Sequence, residues 1–232
     1  MPHPSRFRRP NRSPFATHYR RVPGEGPDGQ VKVMLIGERP GEEEARRGRP
    51  FIGTSGKYLD ICLDAAAIPR KDIYITNLVK DFTAYGKPTR AEIARDHDEL
   101  VMEILIHDPE IIGLVGGWSV EEVLAKEKAE MDKVHGVPVR VTELFGGELT
   151  YSSLTSERAE TAADQGGWIV LPMLHPANAI YTPDVLGNVL EDVLTLGRLM
   201  DGEIGVVEDE YEGKGKVDYR IVTEEGLDGI LC

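Results

Sequence analysis

Residues 37–53, GERPGEEEARRGRPFIG, combine a turn shaped by glycine and proline with a cluster of carboxylates and an aromatic ring. They follow a short apolar run at 31–36. Such a loop could cradle a ligand, and it could equally be a strand-to-helix connection with a charged, solvated helix face. It has neither the GxGxxG spacing of a dinucleotide site nor the pattern of a phosphate loop. The segment alone leaves both interpretations open.

Three further segments place polar residues directly after apolar runs: TNLVK (76–80), GGWS (116–119) and HPANA (175–179). Taken singly, an asparagine that caps its loop, a solvated lysine and a strand-end histidine are all ordinary structural residues. Ligands of parallel α/β sheets, however, bind beyond the carboxyl ends of the strands. Four such loops at one sheet edge therefore predict a binding site there.

The fold must bring these loops together, and the apolar pattern indicates how. Continuous apolar runs, which are typical of strands buried on both faces, occupy 31–37, 72–79, 110–117 and 168–174. Helical spacing occurs at 56–68, 89–108, 119–131 and 186–200. Thr89 and Glu92 form a capping-box pair, and Ser119 is a plausible N-cap. Strands that alternate with helices predict an α/β fold, a three-layer α/β/α sandwich around a central four-stranded, mainly parallel sheet.

Two other segments have less definite patterns. Residues 137–153 alternate around Gly146 and Gly147, which indicates a hairpin or an insertion. The end of the chain is acidic and glycine-rich, and 218–222 (DYRIV) could add a short edge strand or stay loose.

Composition divides the chain into three parts. A basic, irregular N-terminal arm (1–30) precedes one domain (31–200) and an acidic C-terminal tail (201–232). The net charge of −13 argues against indiscriminate nucleic-acid binding. The first 23 residues nevertheless contain six arginines and no acid, so the arm could contact phosphates or be a disordered leader.

Several classes of protein are disfavoured by the composition. There is neither an apolar run long enough to span a membrane nor a secretory signal, so we expect a soluble cytoplasmic protein, and a monomer. Cys62 and Cys232 do not form a CxxC pair, which argues against a disulfide framework or a cysteine-based metal site. We therefore expect no bound metal.

The motifs as a set resemble the uracil-DNA glycosylase superfamily. The stretches GERPGEEEARRGRPFIG, IYITNLVK and LPMLHPANAI are most similar to family 4, whose pattern runs GEAPG-x-x-E, G-x-PF-x-G, ITN-x-VK and HP. The resemblance covers most of 31–200 in the expected order. It implies a glycosylase of base excision repair that flips uracil, or a related 5-substituted pyrimidine, out of single- or double-stranded DNA and leaves an abasic site.

The resemblance also implies roles in holding the base. Gly37 belongs to the base-binding pocket, and Phe51 resembles the aromatic residue that stacks on uracil, an interaction of ~1–3 kcal/mol. Asn77 resembles the amide that donates to O4 and accepts from N3–H. His175 resembles the histidine that hydrogen-bonds O2 as negative charge builds on the leaving base.

Further roles concern the water and the DNA. Glu38 and Glu44 match acids near the water and the cationic sugar, where a carboxylate can accept a proton and stabilise positive charge. The HPANAI segment, with Pro176, Ala177 and Asn178, resembles the loop that fills the gap left by the base. Lys80 falls in the same set of predicted DNA contacts.

The sequence departs from family 4 at the cysteines. That family holds an iron–sulfur cluster on four cysteines, whereas this chain has Asp81 and Asp96 at two of those positions and no cysteine in the arm. We therefore expect no cofactor, and we expect packing or the arm to provide the stabilisation that the cluster gives its relatives.

Other departures concern activity and specificity. Arg39 stands where some branches carry an Asp or Asn that activates water and where family 4 has Ala. An arginine cannot act as the base, but it could pair with Glu38, hold a phosphate or reach into the pocket. Gly41 replaces a bulky aromatic of some uracil-specific branches, which predicts room near C5 of the base. The absence of a basic insertion between Gly48 and Phe51 makes the relatives that crosslink to uracil a poor match.

Two alternative functions remain. A non-catalytic or repurposed member would bind a modified base or nucleotide in DNA modification. A small-molecule α/β enzyme is the weaker alternative, because the sequence carries no cofactor signature.

Overall fold

The computed structural model describes residues 21–83, 87–151 and 166–208. A six-stranded sheet with the order β2-β1-β3-β7-β4-β8 lies at its centre. Its strands are β1 (Val33–Gly37), β2 (Tyr74–Asn77), β3 (Ile111–Val115), β4 (Val139–Val141), β7 (Trp168–Met173) and β8 (Val207–Glu208). β2, β1, β3 and β7 are parallel to one another, whereas β4 is antiparallel to β7 and β8 is parallel to β4.

The four predicted strands form the parallel part of this sheet, which confirms the α/β fold. β1, β2 and β3 are buried along their whole length, as the continuous apolar runs predicted. The predicted strand number of four is too low, because two short strands extend the sheet beyond β7. β4 comes from the region predicted as a hairpin or insertion, and β8 from the start of the acidic tail; the suggested strand at 218–222 lies outside the described residues.

Helices cover both faces of the sheet. They are α1 (Glu42–Arg47), α2 (Thr54–Ala65), α3 (Arg90–His107), α4 (Gly117–Val123), α5 (Met131–Val134), α6 (Ala177–Tyr181) and α7 (Leu186–Met200). On one face, Leu100 of α3 and Val120 of α4 belong to the same apolar cluster as Met34 of β1. On the other face, Leu59 of α2 and Leu196 of α7 join the cluster of Leu35. The alternating side chains of each strand therefore feed two cores, as in a three-layer sandwich.

Local signals in the sequence predicted the start of one helix correctly and the start and end of another incorrectly. α3 begins with the predicted capping box: the Thr89 hydroxyl accepts the Glu92 N–H, and the Glu92 carboxylate accepts the Thr89 N–H. The single helix predicted at 119–131 is wrong, because α4 ends at Val123 and Ala125 takes a left-handed conformation with φ 50°. Ser119 lies inside α4 and donates its hydroxyl to the Val115 carbonyl, so it is not the N-cap.

A small hairpin accounts for the glycine pair at 146–147. β5 (Glu143–Leu144) and β6 (Leu149–Thr150) pair in antiparallel fashion across a turn at Phe145–Gly147. This confirms the hairpin alternative for that segment.

Residues 21–30, assigned to the arm by sequence, run along the edge of β2. Val22 is buried, and its N–H donates to the Lys80 carbonyl at 2.8 Å. Glu25 forms a β-bridge with Ile75.

Within the described ranges, no helix is both long and apolar enough to cross a membrane.

Candidate active site

A cavity of about 890 Å³ opens at the carboxyl edge of the parallel strands. Each of the four loops singled out in the sequence contributes to its wall. The lining includes Glu38 after β1, Asn77 at the end of β2, Trp118 after β3 and His175 after β7, together with Phe51 from the loop before α2. The structure thus brings residues from four separate segments to one cavity.

Gly37 allows two of these side chains to approach each other. A Cβ at this position would lie 2.5 Å from Asn77 Oδ1 and 2.5 Å from Phe51 Cζ. Any side chain here would therefore displace the amide or the ring. Two main-chain hydrogen bonds also join the loops after β1 and β2: the Leu78 N–H donates to the Gly37 carbonyl at 2.9 Å, and the Val79 N–H to the Glu38 carbonyl at 3.1 Å.

Phe51 forms one wall of the cavity from an unusual backbone conformation. Its φ of 49° lies in the left-handed region, which is rare for a bulky residue and costs about 1–3 kcal/mol. The Phe51 ring centroid is 5.9 Å from that of His175, with an interplanar angle of 30°. The strained backbone points the ring toward the histidine across the cavity, where a flat ligand could contact it.

Asn77 is buried without a partner for its amide. The residue is 2% exposed, and neither Nδ2 nor Oδ1 has a hydrogen-bond partner among the described residues. A buried amide that lacks partners costs roughly 1–3 kcal/mol for each unsatisfied group, and native structures rarely leave one. The arrangement suits a ligand that accepts one hydrogen bond and donates another.

His175 presents a neutral ring with one defined donor. Its Nδ1 accepts the Ala177 N–H at 3.1 Å, so the proton of the neutral ring is on Nε2. Burial lowers the pKa of His175 to about 4. At neutral pH this side chain can donate one hydrogen bond from Nε2 but carries no charge.

Glu38 is a half-buried carboxylate beside the start of α4. Its Oε1 accepts the Trp118 N–H at 3.2 Å. Burial raises the pKa of Glu38, and the nearby Glu121 carboxylate raises it further, while the Trp118 N–H and the Lys87 ammonium oppose the change. A carboxylate with a raised pKa is a better proton acceptor than an exposed one.

Comparison with known proteins identifies the family. A model of the "Uracil DNA glycosylase superfamily" matches residues 23–194. The chain belongs to the uracil-DNA glycosylase superfamily. It is similar to the type-4 uracil-DNA glycosylase of Thermotoga maritima, with 35% identity over 119 residues, 51% of this chain and 62% of that protein. It is similar also to the type-4 enzymes of Saccharolobus solfataricus, with 30% identity over 175 residues (74% and 72%), and Sulfurisphaera tokodaii, with 32% over 176 residues (74% and 70%).

Glu44, predicted as the second acid of the site, joins the start of α1 to the loop before α2. Its Oε1 accepts the N–H groups of Ile52 at 3.2 Å and Gly53 at 2.9 Å, which fixes the loop that carries Phe51. Its Oε2 lies where a side chain at Gly41 would start, because a Cβ there would be 2.6 Å away. Gly41 also lines the cavity, and that it leaves room near C5 of the base stays a prediction.

Lys80 does not take the predicted position of a DNA contact. Its side chain has no exposed surface, and its Nζ donates to Glu103 Oε2 at 2.6 Å and to the Asn77 carbonyl at 2.9 Å. Burial lowers the pKa of Lys80, and Glu103 opposes that change. An ammonium buried in this way cannot contact a phosphate, so its role in this conformation is internal.

Arg39 lines the cavity and is bonded both to Thr83, which lines it as well, and to Glu92 of α3. Its Nη2 lies 2.8 Å from Glu92 Oε1 at the start of α3, and its Nη1 donates to the Thr83 hydroxyl. Among the described residues, the ion pair of Arg39 is with Glu92 and not with Glu38. The other two possibilities, a phosphate contact and a reach into the pocket, stay predictions.

An ion-pair network surrounds Asp81 and Asp96, the two positions at which the resemblance to family 4 implied cluster cysteines. Asp96 is 1% exposed and accepts hydrogen bonds from Arg21 Nη2 at 2.8 Å, from Arg95 at 2.9 Å and from the Lys80 N–H at 2.8 Å. Asp81 lies 3.1 Å from Arg95 Nη2.

Within the described ranges, no group of three or more His, Cys, Asp or Glu side chains could hold a metal ion. That no cofactor binds stays a prediction.

The HPANA segment forms the short helix α6 beside His175. Pro176 is buried, Ala177 is half-buried and Asn178 is exposed. Ile180, 39% exposed, lies on the same helix. The placement leaves Asn178 available to a partner at the mouth of the cavity, and the insertion role remains a prediction.

Sequence reasoning missed Trp118 as a site residue. GGWS was singled out as a loop, but no residue in it was assigned a role. Trp118 supplies the N–H that binds Glu38, and Lys87 Nζ lies 5.9 Å from its ring centroid. The only available signal was its position directly after a buried strand.

Proposed function

We propose that this protein is a DNA glycosylase that hydrolyses the N-glycosidic bond of uracil, or of a related 5-substituted pyrimidine, flipped out of DNA. The observation that supports this most strongly is the Asn77 amide, which is buried and without a partner among the described residues. The superfamily membership and the position of Phe51 and His175 on the same cavity support it as well.

The cavity can recognise uracil by complementary hydrogen bonds. The Asn77 NH2 donates to O4 and its carbonyl oxygen accepts from N3–H. Cytosine offers the reverse pattern at both positions, so it would leave buried groups unpaired. Phe51 stacks on the ring, which is a contact that any pyrimidine can make. Selectivity against cytosine therefore comes from Asn77 and retention of the ring from Phe51.

The reaction replaces the C1′–N1 bond by a bond from C1′ to a water oxygen. Glu38 orients the water, accepts its proton and stabilises the positive charge that develops on the sugar. The electrons of the broken bond leave with the base, and the His175 Nε2–H donates to O2, where negative charge accumulates. A neutral histidine suits this role because it keeps its donor hydrogen throughout.

The direct test is release of uracil from an oligonucleotide that carries a single uracil. Single- and double-stranded substrates are incubated with protein, treated with alkali and analysed for strand cleavage at the abasic site. We expect cleavage with the wild type and a loss of about 10²–10³ in rate with Asn77→Ala. Asn188→Ala, at an exposed position of α7 away from the cavity, is the matched control and should keep the wild-type rate. No abasic product on either substrate would contradict the proposal.

A non-catalytic base-binding protein is the second candidate, and Arg39 favours it. This residue lines the cavity at the motif position where other branches carry a water-activating Asp or Asn, and an arginine cannot accept a proton. The same cavity would then hold a modified base without cleaving its bond. Tight, selective binding of uracil-containing DNA with no abasic product would support this candidate over the enzyme.

A further inference from the structure

Lys80 and Glu103 form a buried ion pair directly behind Asn77. The Lys80 ammonium donates to Glu103 Oε2 at 2.6 Å, to the Asn77 main-chain carbonyl at 2.9 Å and to the Thr76 hydroxyl. Its side chain has no exposed surface and does not line the cavity. The lysine is therefore bonded to the last two residues of β2, one of which carries the amide that faces the cavity.

The Glu103 carboxylate is fixed by several other groups. Its Oε2 accepts the Thr76 hydroxyl at 2.8 Å, and its Oε1 accepts the Tyr74 hydroxyl at 3.2 Å and the Gly24 N–H at 3.3 Å. The carboxylate comes from α3, so these bonds join that helix to β2 and to the N-terminal segment. A buried pair with such additional bonds has little freedom to move.

Asn77 depends on its backbone for orientation. Its amide has no hydrogen-bond partner among the described residues, so no bond to the side chain itself sets its direction. The peptide that follows is held on both sides: the Leu78 N–H donates to the Gly37 carbonyl, and the Asn77 carbonyl accepts from Lys80. A recognition group that is held before the ligand arrives needs no reorganisation when it binds.

We propose that the Lys80–Glu103 pair is a positioning element that fixes the Asn77 backbone so that its amide faces a bound pyrimidine correctly. The proposal rests on the proposed function, and Lys80 acts through Asn77 without contacting the base. Stability alone does not explain the pair, because apolar residues of similar size are often as stabilising as a buried ion pair.

The experiment measures base selectivity without turnover. Single-stranded oligonucleotides carry either 2′-fluoro-2′-deoxyuridine or 2′-fluoro-2′-deoxycytidine, whose fluorine disfavours the cationic sugar and so prevents cleavage. The quantity measured is the ratio of the two affinities. The proteins are the wild type, Lys80→Met, Lys80→Met/Glu103→Leu and Leu196→Ala, the last being a buried residue of α7 that serves as the control for lost stability.

We expect Lys80→Met to lower the uracil-over-cytosine affinity ratio about tenfold, which is the effect of roughly one lost hydrogen bond. The double variant should regain thermal stability, because both charges are removed together, and should keep the low ratio. Leu196→Ala should lose stability and keep the wild-type ratio. In an Asn77→Ala background, Lys80→Met should have no further effect on the ratio.

A wild-type ratio in the double variant would overturn the proposal, because the pair would then act only on stability. The proposal would also be overturned if Lys80→Met lowered the affinity ratio as much in the Asn77→Ala background as in the wild type. It would be overturned as well if the wild type bound the uracil and cytosine oligonucleotides equally. If the wild type binds the uracil oligonucleotide selectively but forms no abasic product from the cleavable uracil substrate, the proposed hydrolase activity is contradicted. The positioning role of the Lys80–Glu103 pair is not affected by that result.

Discussion

Glu38, Asn77 and His175 are each held in place at the cavity and still keep polar atoms available to a ligand. His175 is held through Nδ1 and Glu38 through Oε1, which leaves Nε2 and Oε2 without a hydrogen-bond partner among the described residues. Asn77 is held through its main chain and keeps its whole amide available. This arrangement prepares three polar groups for a ligand at some cost in stability, which is typical of functional sites.

The pH dependence of uracil release tests the role of Glu38. Only the ionised carboxylate can accept a proton from water, and burial raises its pKa. The rate should therefore rise with pH through a range above that of an exposed glutamate and then level off. Single-turnover rates measured across the acid range in which the substrate stays intact give this profile.

Two variants separate the contributions to that profile. Glu38→Gln should lower the plateau rate of uracil release by a factor of about 10²–10⁴. The rise of the rate that Glu38 causes should also disappear, so that only the titration of His175 near pH 4 still affects the rate. Glu121→Gln should move the rise to lower pH, because the Glu121 charge raises the pKa of Glu38, and should keep the plateau. A Glu38→Gln protein with the wild-type profile would exclude Glu38 as the base.

The helix α3 supplies three carboxylates that hold residues at or behind the cavity, a role that its amphipathic sequence did not predict. It supplies Glu103 to Lys80, Glu92 to Arg39 and Asp96 to two arginines and to the Lys80 N–H. The helix therefore supports the loop after β2 and the motif loop after β1 together.

Replacing Asp96 tests the ion-pair network that surrounds this carboxylate. Burial opposes ionisation of Asp96, but hydrogen bonds from Arg95, the Lys80 N–H and Arg21 outweigh it and hold its pKa below the usual range. Asp96→Asn should lower the free energy of unfolding by about 2 kcal/mol at neutral pH, with the exposed Asp98→Asn as control.

The stabilisation by Asp96 also has a defined pH dependence. Because its folded-state pKa is lowered, the contribution is present above its ordinary pKa of 3.8 and is lost as pH falls below it. Chemical denaturation at neutral and acid pH should show the difference between wild type and Asp96→Asn shrinking in acid. Equal stability at neutral pH would show that the network contributes nothing.

The parts of the fold that depend on residues close together in the chain could be predicted from the sequence. The apolar runs predicted the four parallel strands, and Thr89 with Glu92 predicted the start of α3, because both signals are local. The burial of Lys80 was not predictable, since its partner Glu103 lies 23 residues further along the chain on a different element. The end of α4 was missed because helical spacing continues through Ala125, where the backbone turns left-handed.

At the scale of the whole molecule, charge is distributed unevenly along an acidic chain. Residues 1–20 contain five arginines and no acid, whereas the net charge is −13. Since contacts to phosphates release counterions, deletion of residues 1–20 should weaken DNA binding and flatten the decrease of log affinity with log salt. Deletion of 209–232, which carries more acids than bases, is the control. Identical salt slopes for full-length and arm-deleted protein would exclude the arm from DNA binding.

We propose that one cavity accepts an extruded uracil between Phe51, Asn77 and His175. A crystal structure with a single-stranded oligonucleotide containing 2′-fluoro-2′-deoxyuridine tests it most directly. We expect the uracil ring to stack on Phe51, with O4 and N3 within hydrogen-bond distance of the Asn77 amide and O2 facing His175 Nε2. A uracil that stays stacked in the strand, or that binds elsewhere while the cavity is empty, would contradict it.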